Sequence, residues 1–365
     1  MASAPAFFHL RHPTPSDNVR RMNDAPPPLP AAAQPRRTGW IVYSVVVTFF
    51  LFLSILANLI LFAMALGSGN EFGHRHETLV EEQFDGDEHA RDKIAVIYLS
   101  GVISSNVDGY PTEEGMVGYL KEELREAVND DRVKAIIIRI NSPGGEVVAS
   151  DLIYRAVVDA RDSKPVVACI DSVGASGGYY VAVAADHIVA TDMTITGSIG
   201  VIMQTLTFQG LMDKIGVQAH TFKSGKYKDL LNPARQPTEE EKSLVQGLIM
   251  EVYDKFVGIV AKERELDVDA LKTGLADGRI LSGKQALEAG FVDELGYFED
   301  AVEAAKKLAS IKEAKLVRYQ MPFSFRNFFR FLGESKAPKL QIEVSPNHFK
   351  LEAGKLYFLP AYMFQ

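Results

Sequence analysis

The chain has 365 residues, 39 Lys plus Arg against 47 Asp plus Glu, a net charge of −8 and a single cysteine. That length fits one large domain or two ordinary ones, and 47% hydrophobic with 24% charged residues excludes disordered, collagen-like and multi-spanning membrane chains. The acidic balance argues against sequence-independent nucleic-acid binding, which needs a basic face, and one thiol, Cys169, forms neither an internal disulfide nor a cysteine metal site.

Residues 1–38 hold eight prolines, and such a segment buries too little apolar surface to fold, so a disordered tail is expected. Residues 40–66 then run 27 positions without a charged side chain. At about 1.5 Å per residue this is a helix of about 40 Å, enough to cross a hydrocarbon core of about 30 Å with tilt. A transmembrane signal-anchor is therefore expected over 39–66. Ala63-Met64-Ala65 resembles a cleavage site, but the apolar run exceeds the roughly 7–15 residues of a signal peptide. Arg36 and Arg37 precede the run, whereas 67–93 carries eight acidic and three basic residues. The basic flank predicts a cytoplasmic N-terminus and an extracytoplasmic remainder in a cell membrane.

Residues 67–92 read as a polar stalk, with the folded domain over 93–310 and a C-terminal extension over 311–365. Residues 93–99, 133–140 and 165–171 read as short buried strands, and 116–129 and 147–160 carry helical apolar spacing. This alternation predicts an α/β domain with parallel pairing. Thr238 followed by Glu239, Glu240 and Glu241 predicts the start of a long amphipathic helix over 238–262.

Two of the strands end in glycine-rich turns. The first is Asn141-Ser142-Pro143-Gly144-Gly145, where Pro143 holds Ser142 extended. The second, Gly174-Ala175-Ser176-Gly177-Gly178, opens an apolar helix and sets Ser176 at its N-terminus. Together they offer backbone N–H donors, Gly145 and Gly177, for an oxyanion beside a serine nucleophile. The bland alternative is a pair of tight turns with a capping serine. A serine nucleophile needs a base. His187 reads as a strand start, His348 lies in the tail, and His220 is the histidine candidate. Lysine is the stronger type of candidate, in Lys223-Ser224-Gly225-Lys226-Tyr227-Lys228-Asp229. An amine of ordinary pKa about 10.4 must fall to about 7–8 to serve, which burial in a dry site can achieve. Spacing alone does not choose among the three lysines, or between a base and a solvated loop.

These residues resemble the signal peptide peptidase A (protease IV) family, peptidase family S49, over about 93–308. The matching motifs are Asn-Ser-Pro-Gly-Gly at 141–145, Ala-Ser-Gly-Gly-Tyr-Tyr at 175–180, Thr-Gly-Ser-Ile-Gly-Val-Ile at 196–202 and Lys-Ser-Gly-x-x-Lys-Asp at 223–229. The resemblance implies a ClpP/crotonase-like spiral of ββα units after one transmembrane helix, in the short single-domain form. It implies a Ser–Lys dyad with Ser176 as nucleophile and Lys228 as general base. It further implies that Ser198 orients the lysine and that Gly145 and Gly177 supply the oxyanion hole. It implies no cofactor and no metal, and assembly as a homo-oligomeric ring in which the lysine reaches a neighbour's serine. The expected function is a membrane-anchored serine endopeptidase acting on remnant signal peptides or other apolar membrane-associated peptides. The alternatives are a catalytically silent membrane scaffold and a crotonase-like acyl-thioester enzyme. The Pro-rich leader and the aromatic, basic stretch at 323–331 depart from the family pattern.

Overall fold

The computed structural model describes residues 38–67, 79–105, 115–321 and 357–358. The expected tail at 1–37, the aromatic stretch at 323–331 and His348 lie outside them. Two units result, divided between Arg75 and His76.

The first unit holds α1 (Thr38–Gly67), an apolar helix. Its span Gly39–Phe62 is long and apolar enough to cross a membrane. Two of its polar side chains bond to the helix itself: Thr48 Oγ1 donates to Ser44 O (2.7 Å) and Asn58 Nδ2 to Ser54 O (2.7 Å). A segment without water to bond would require this.

The second unit is built on one mixed sheet. It opens with β1 (Val80–Gly86), β2 (Lys93–Ser100), α2 (Gly115–Asn129), β3 (Val133–Ser142), β4 (Gly145–Glu146) and α3 (Val147–Arg161). Next come β5 (Val166–Ala175), α4 (Gly177–Ala182), β6 (His187–Ala190), β7 (Ile195–Gly197), α5 (Gln209–Ile215) and α6 (Glu239–Arg264). The last elements are α7 (Val268–Thr273), β8 (Ile280–Ser282), α8 (Gly283–Glu288), β9 (Glu294–Leu295), α9 (Phe298–Leu308), β10 (Lys315–Gln320) and β11 (Tyr357–Phe358).

The main strand order is β1-β10-β2-β3-β5-β6-β9, and β7 pairs with β5 and with β8. The central pairs β2·β3, β3·β5 and β5·β6 are parallel. Those strands are buried on both faces, which is why they read as continuous apolar runs. Alternate residues divide between two cores. Ala95, Ile97, Ile136 and Ile138 face the core shared with α2, α3 and α4. Ile94, Val96, Ala135 and Ile137 face the core closed by α9. Cys169 belongs to the second core, and burial pushes its thiol up to about 12, so it is packing and not a nucleophile.

Two expected boundaries are corrected. The second half of the expected stalk is β1, an edge strand antiparallel to β10. Buried Lys93 fixes it there by donating to Glu81 (2.5 Å) and Asp130 (2.9 Å). The extension beyond 310 likewise contributes to the fold, since β10 runs parallel to β2 and β11 pairs with β4. Hydropathy hid β1, because an edge strand at the rim of a sheet is exposed and carries no continuous apolar run.

Glu123 of α2 is buried, and its Oε2 has no hydrogen-bond partner among the described residues. Burial holds its carboxyl pKa well above the ordinary value. The folded state therefore keeps a proton that the unfolded chain releases. This contribution is complete below the unfolded pKa of about 4.3 and is lost as pH rises through the folded one. Glu123→Gln is expected to raise the melting temperature at pH 7–8 and to leave it unchanged near pH 4. Thermal unfolding followed across pH checks this.

Candidate active site

The two glycine turns lie against each other. β3 ends at Ser142, whose Oγ accepts from the Gly144 N–H (3.1 Å), and Pro143 between them brings no donor. One edge of the following segment is zipped to Ile103. Ile103 N–H donates to Gly144 O (2.8 Å) and Glu146 N–H to Ile103 O (2.8 Å). By strand alternation the Gly145 N–H then points to the opposite edge. A Cβ on Gly145 would stand 1.9 Å from Ile103 O. A Cβ on Gly177 would stand 2.6 Å from Ser150 Oγ and 3.1 Å from both Gly144 Cα and Gly145 N. Only two residues without side chains permit this approach.

Ser176 sits between β5 and α4 with φ 51° and ψ −115°, a left-handed backbone that a non-glycine residue rarely adopts. A nucleophile elbow uses this kind of strain to aim a hydroxyl. The Ser176 N–H donates to Gly197 O (2.8 Å) and its carbonyl accepts from Tyr180 N–H (2.8 Å). Its Oγ is buried and has no hydrogen-bond partner among the described residues. Helix α4 is pinned from two sides. Tyr179 OH donates to Phe291 O (2.8 Å) and Tyr180 OH to Asp151 Oδ1 (2.8 Å). The serine therefore cannot relax by shifting its helix.

Ser198 is brought to the same end of the sheet. β7 runs parallel to β5 with Gly197 opposite Ala175, so Ser176 and Ser198 leave neighbouring strands one position later. Ser198 is buried, has φ 52°, and its N–H donates to Arg279 O (2.8 Å).

Lys228 is not brought to Ser176 within the chain. It lies on an exposed segment, and its amine makes no hydrogen bond or ion pair among the described residues. The other two lysines of the motif are committed. Lys223 Nζ donates to Asp229 Oδ1 (2.5 Å), and Lys226 pairs with Glu240. His220 is exposed, and among the described residues no histidine meets the Ser176 hydroxyl. His187 Nε2 contacts Glu294 Oε2 (3.1 Å) at the start of β6, a structural position.

Sequence reasoning missed three features. Glu146 is buried beside Gly145, and its carboxylate accepts from Ser104 Oγ (3.0 Å), Ser105 N–H (3.2 Å) and Ser105 Oγ (2.8 Å). Strand β11 pairs antiparallel along β4, with Phe358 opposite Gly145 and Tyr357 opposite Glu146. Arg235 bridges Asp229 and Glu241. Only the last left a trace in the sequence, the Thr238–Glu241 capping box. Among the described residues there is no group of His, Cys, Asp or Glu that could hold a metal ion.

A family model described as peptidase family S49 matches residues 159–312. A chain named for signal peptide peptidase SppA in Enterococcus faecium is 38% identical over 231 residues, 62% of this chain and 67% of that one. A chain named as a protease in Methanocaldococcus jannaschii is 38% identical over 278 residues, 75% of this chain and 84% of that one. Protease 4 of Haemophilus influenzae is 36% identical over 231 residues, 62% of this chain and 36% of its own length.

Proposed function

The chain belongs to peptidase family S49 and is a serine protease by kinship; from that premise we propose a membrane-anchored endopeptidase with a Ser176–Lys228 dyad. The observation that carries the reading is Ser176, a buried, unpartnered hydroxyl on a strained turn between two glycine backbones. Ser176 Oγ attacks the peptide carbonyl while the Lys228 amine takes its proton. The oxyanion forms against the Gly145 and Gly177 N–H groups. Lysine then returns the proton to the leaving amine and activates the water that hydrolyses the acyl-enzyme. The Ser198 hydroxyl accepts from the amine and aims it. The silent-scaffold reading leaves the strain at Ser176 without a purpose, and the acyl-thioester reading has no use for a lysine.

A second copy supplies the lysine in this proposal. Leu206, Phe208, Leu211, Ile215, Phe222 and Leu248, on the segment around Lys228 and on α6, expose large apolar side chains. An apolar face of that kind is an association surface. A homo-oligomeric ring covers it and carries Lys228 to a neighbour's Ser176. The parallel central strands with helices on both faces suit the ClpP/crotonase-like spiral. Helix α1 would hold the catalytic domain on the extracytoplasmic face of a cell membrane, near apolar peptides such as signal peptides left by export.

The β4 edge accepts an extended segment, as β11 demonstrates in cis, so a peptide substrate adds there as a strand. β11 competes for that edge. Removal of residues 351–365 is expected to lower KM severalfold with kcat unchanged, measured on the detergent-solubilised chain; an unchanged KM rejects this binding mode. The dyad itself is tested by a fluorophosphonate probe, which should label the full-length chain at Ser176. Labelling at another residue rejects the assignment.

A further inference from the structure

We propose that Arg235 is a positioning residue for Lys228, tying the lysine's loop to the first turn of α6. The inference rests on Lys228 as the base. The loop needs such a device because apolar packing within its own chain does not hold it, and the lysine must be shaped before a neighbour is met. No residue of α5 is buried, 216–228 is exposed throughout, and the first buried apolar residue of α6 is Phe256. A base on a solvated loop would wander by several ångströms, whereas proton transfer needs hydrogen-bond reach.

Arg235 supplies the missing constraint by filling its fork on two carboxylates at once. Its Nε donates to Asp229 Oδ2 (2.9 Å) and its Nη2 to Asp229 O (3.1 Å). Its Nη1 donates to Glu241 Oε2 (2.8 Å) and its Nη2 to Glu241 Oε1 (2.5 Å). Asp229 is the residue next to Lys228, so both its side chain and its carbonyl are fixed. The remaining Asp229 oxygen takes Lys223 Nζ, which also donates to Lys226 O (3.0 Å) and closes the loop from its other end. Glu241 is an anchored post: its side chain is 3% exposed, and Glu241 and Thr238 form the capping box of α6. Both carboxyls stay ionised at any working pH. The Arg235 and Lys223 groups hold Asp229 far below the usual carboxylate range, and Arg235 with the Thr238 N–H lowers Glu241 to about 2. Two cations and two anions cancel, which leaves Lys228 beside a neutral cluster. Lysine at 235 could not replace the planar fork, because an ammonium is a point charge with no fixed bidentate geometry.

The test uses the full-length chain in detergent or vesicles, with a fluorogenic peptide and fluorophosphonate titration of active sites. Arg235→Gln is expected to lower kcat per labelled site about 10- to 100-fold, as a base misplaced by about 1 Å would, with KM within twofold of wild type. Its uncompensated Asp229 favours the protonated amine, so the acid limb of the kcat profile should move to higher pH. Arg235→Lys keeps the charge and should fold; it should show a smaller kcat loss in the same direction. If Arg235→Gln does not fold, the Lys variant and Glu241→Gln decide alone. Wild-type kcat in these variants overturns the proposal. So does a lower kcat with an unmoved acid limb in Arg235→Gln, which is the mark of a merely structural arginine; Arg235→Lys keeps the charge and should leave the limb in place, and Glu241→Gln, which removes an anion, should move it to lower pH. Should Lys228→Ala remain active, the dyad reading fails; should Lys228→Ala be inactive while the Arg235 variants behave as wild type, only the clamp fails.

Discussion

Ser176→Ala and Lys228→Ala are each expected to reduce peptide hydrolysis to background, a fall of about 10⁴–10⁶ in kcat, while His220→Ala keeps the wild-type rate. A nucleophile and its base act as a unit, so losing either costs nearly as much as losing both. What survives is the contribution of the N–H donors and substrate binding, about 10³–10⁴ over water. Ser176→Ala should leave thermal stability unchanged. The hydroxyl makes no hydrogen bond, so its removal breaks none, and alanine is no worse than serine at φ 51°. That separates chemistry from folding, a separation most active-site substitutions do not allow. Fluorophosphonate should label wild type and neither variant. Because Lys228 is exposed and apart from Ser176 within the chain, mixing the two inactive variants is informative. Co-assembled protomers should recover part of the activity, since one copy brings an intact serine and its neighbour an intact lysine. Hydrolysis by Lys228→Ala at a rate near wild type would sink the dyad. No recovery from a verified mixed assembly would sink its sharing between chains.

Gly145→Ala is expected to cost both stability and rate. The new Cβ would sit 1.9 Å from Ile103 O and 2.5 Å from Ile103 N, and both are backbone atoms with no rotamer to give. The contact can be relieved only by parting β4 from Ile103, which breaks the two hydrogen bonds that hold the first glycine turn. Overpacking of this kind costs about 1–3 kcal/mol. Turning the Gly145 N–H away from the oxyanion adds a loss of about 10²–10³ in kcat. Gly247→Ala is the matched control. It lies inside α6 with nothing within 4 Å of the new Cβ, so stability should rise by up to about 1 kcal/mol. Chemical denaturation and kcat on the same preparations check both. A Gly145→Ala protein as stable and as active as wild type would remove Gly145 from the site.

The glycine turns of the candidate site were legible in the sequence because their requirement is local. A turn where a Cβ would stand 1.9 Å from another backbone's oxygen needs glycine at that position, and Pro143-Gly144-Gly145 says so without any partner being known. The central strands were legible for a similar reason. Burial on both faces leaves continuous apolar runs such as Ile136-Ile137-Ile138, and 27 uncharged residues leave few alternatives to α1. The Thr238 cap was visible because capping is settled within one helical turn.

Tertiary structure alone decided what depends on distant partners. Residues 80–86 are polar enough to pass for a stalk and become a strand because β10 and buried Lys93 await them. The aromatic pair Tyr357-Phe358 gives no sign that its place is opposite Gly145 and Glu146. Three lysines within six positions carry the same charge on the page. Asp229 and Glu240 take two of them, and among the described residues the amine of Lys228 stays unpaired. Composition and spacing record what each residue can do by itself. Which carboxylate reaches which amine, and which strand covers which edge, is set by chain geometry over tens to hundreds of residues, and no local pattern encodes it.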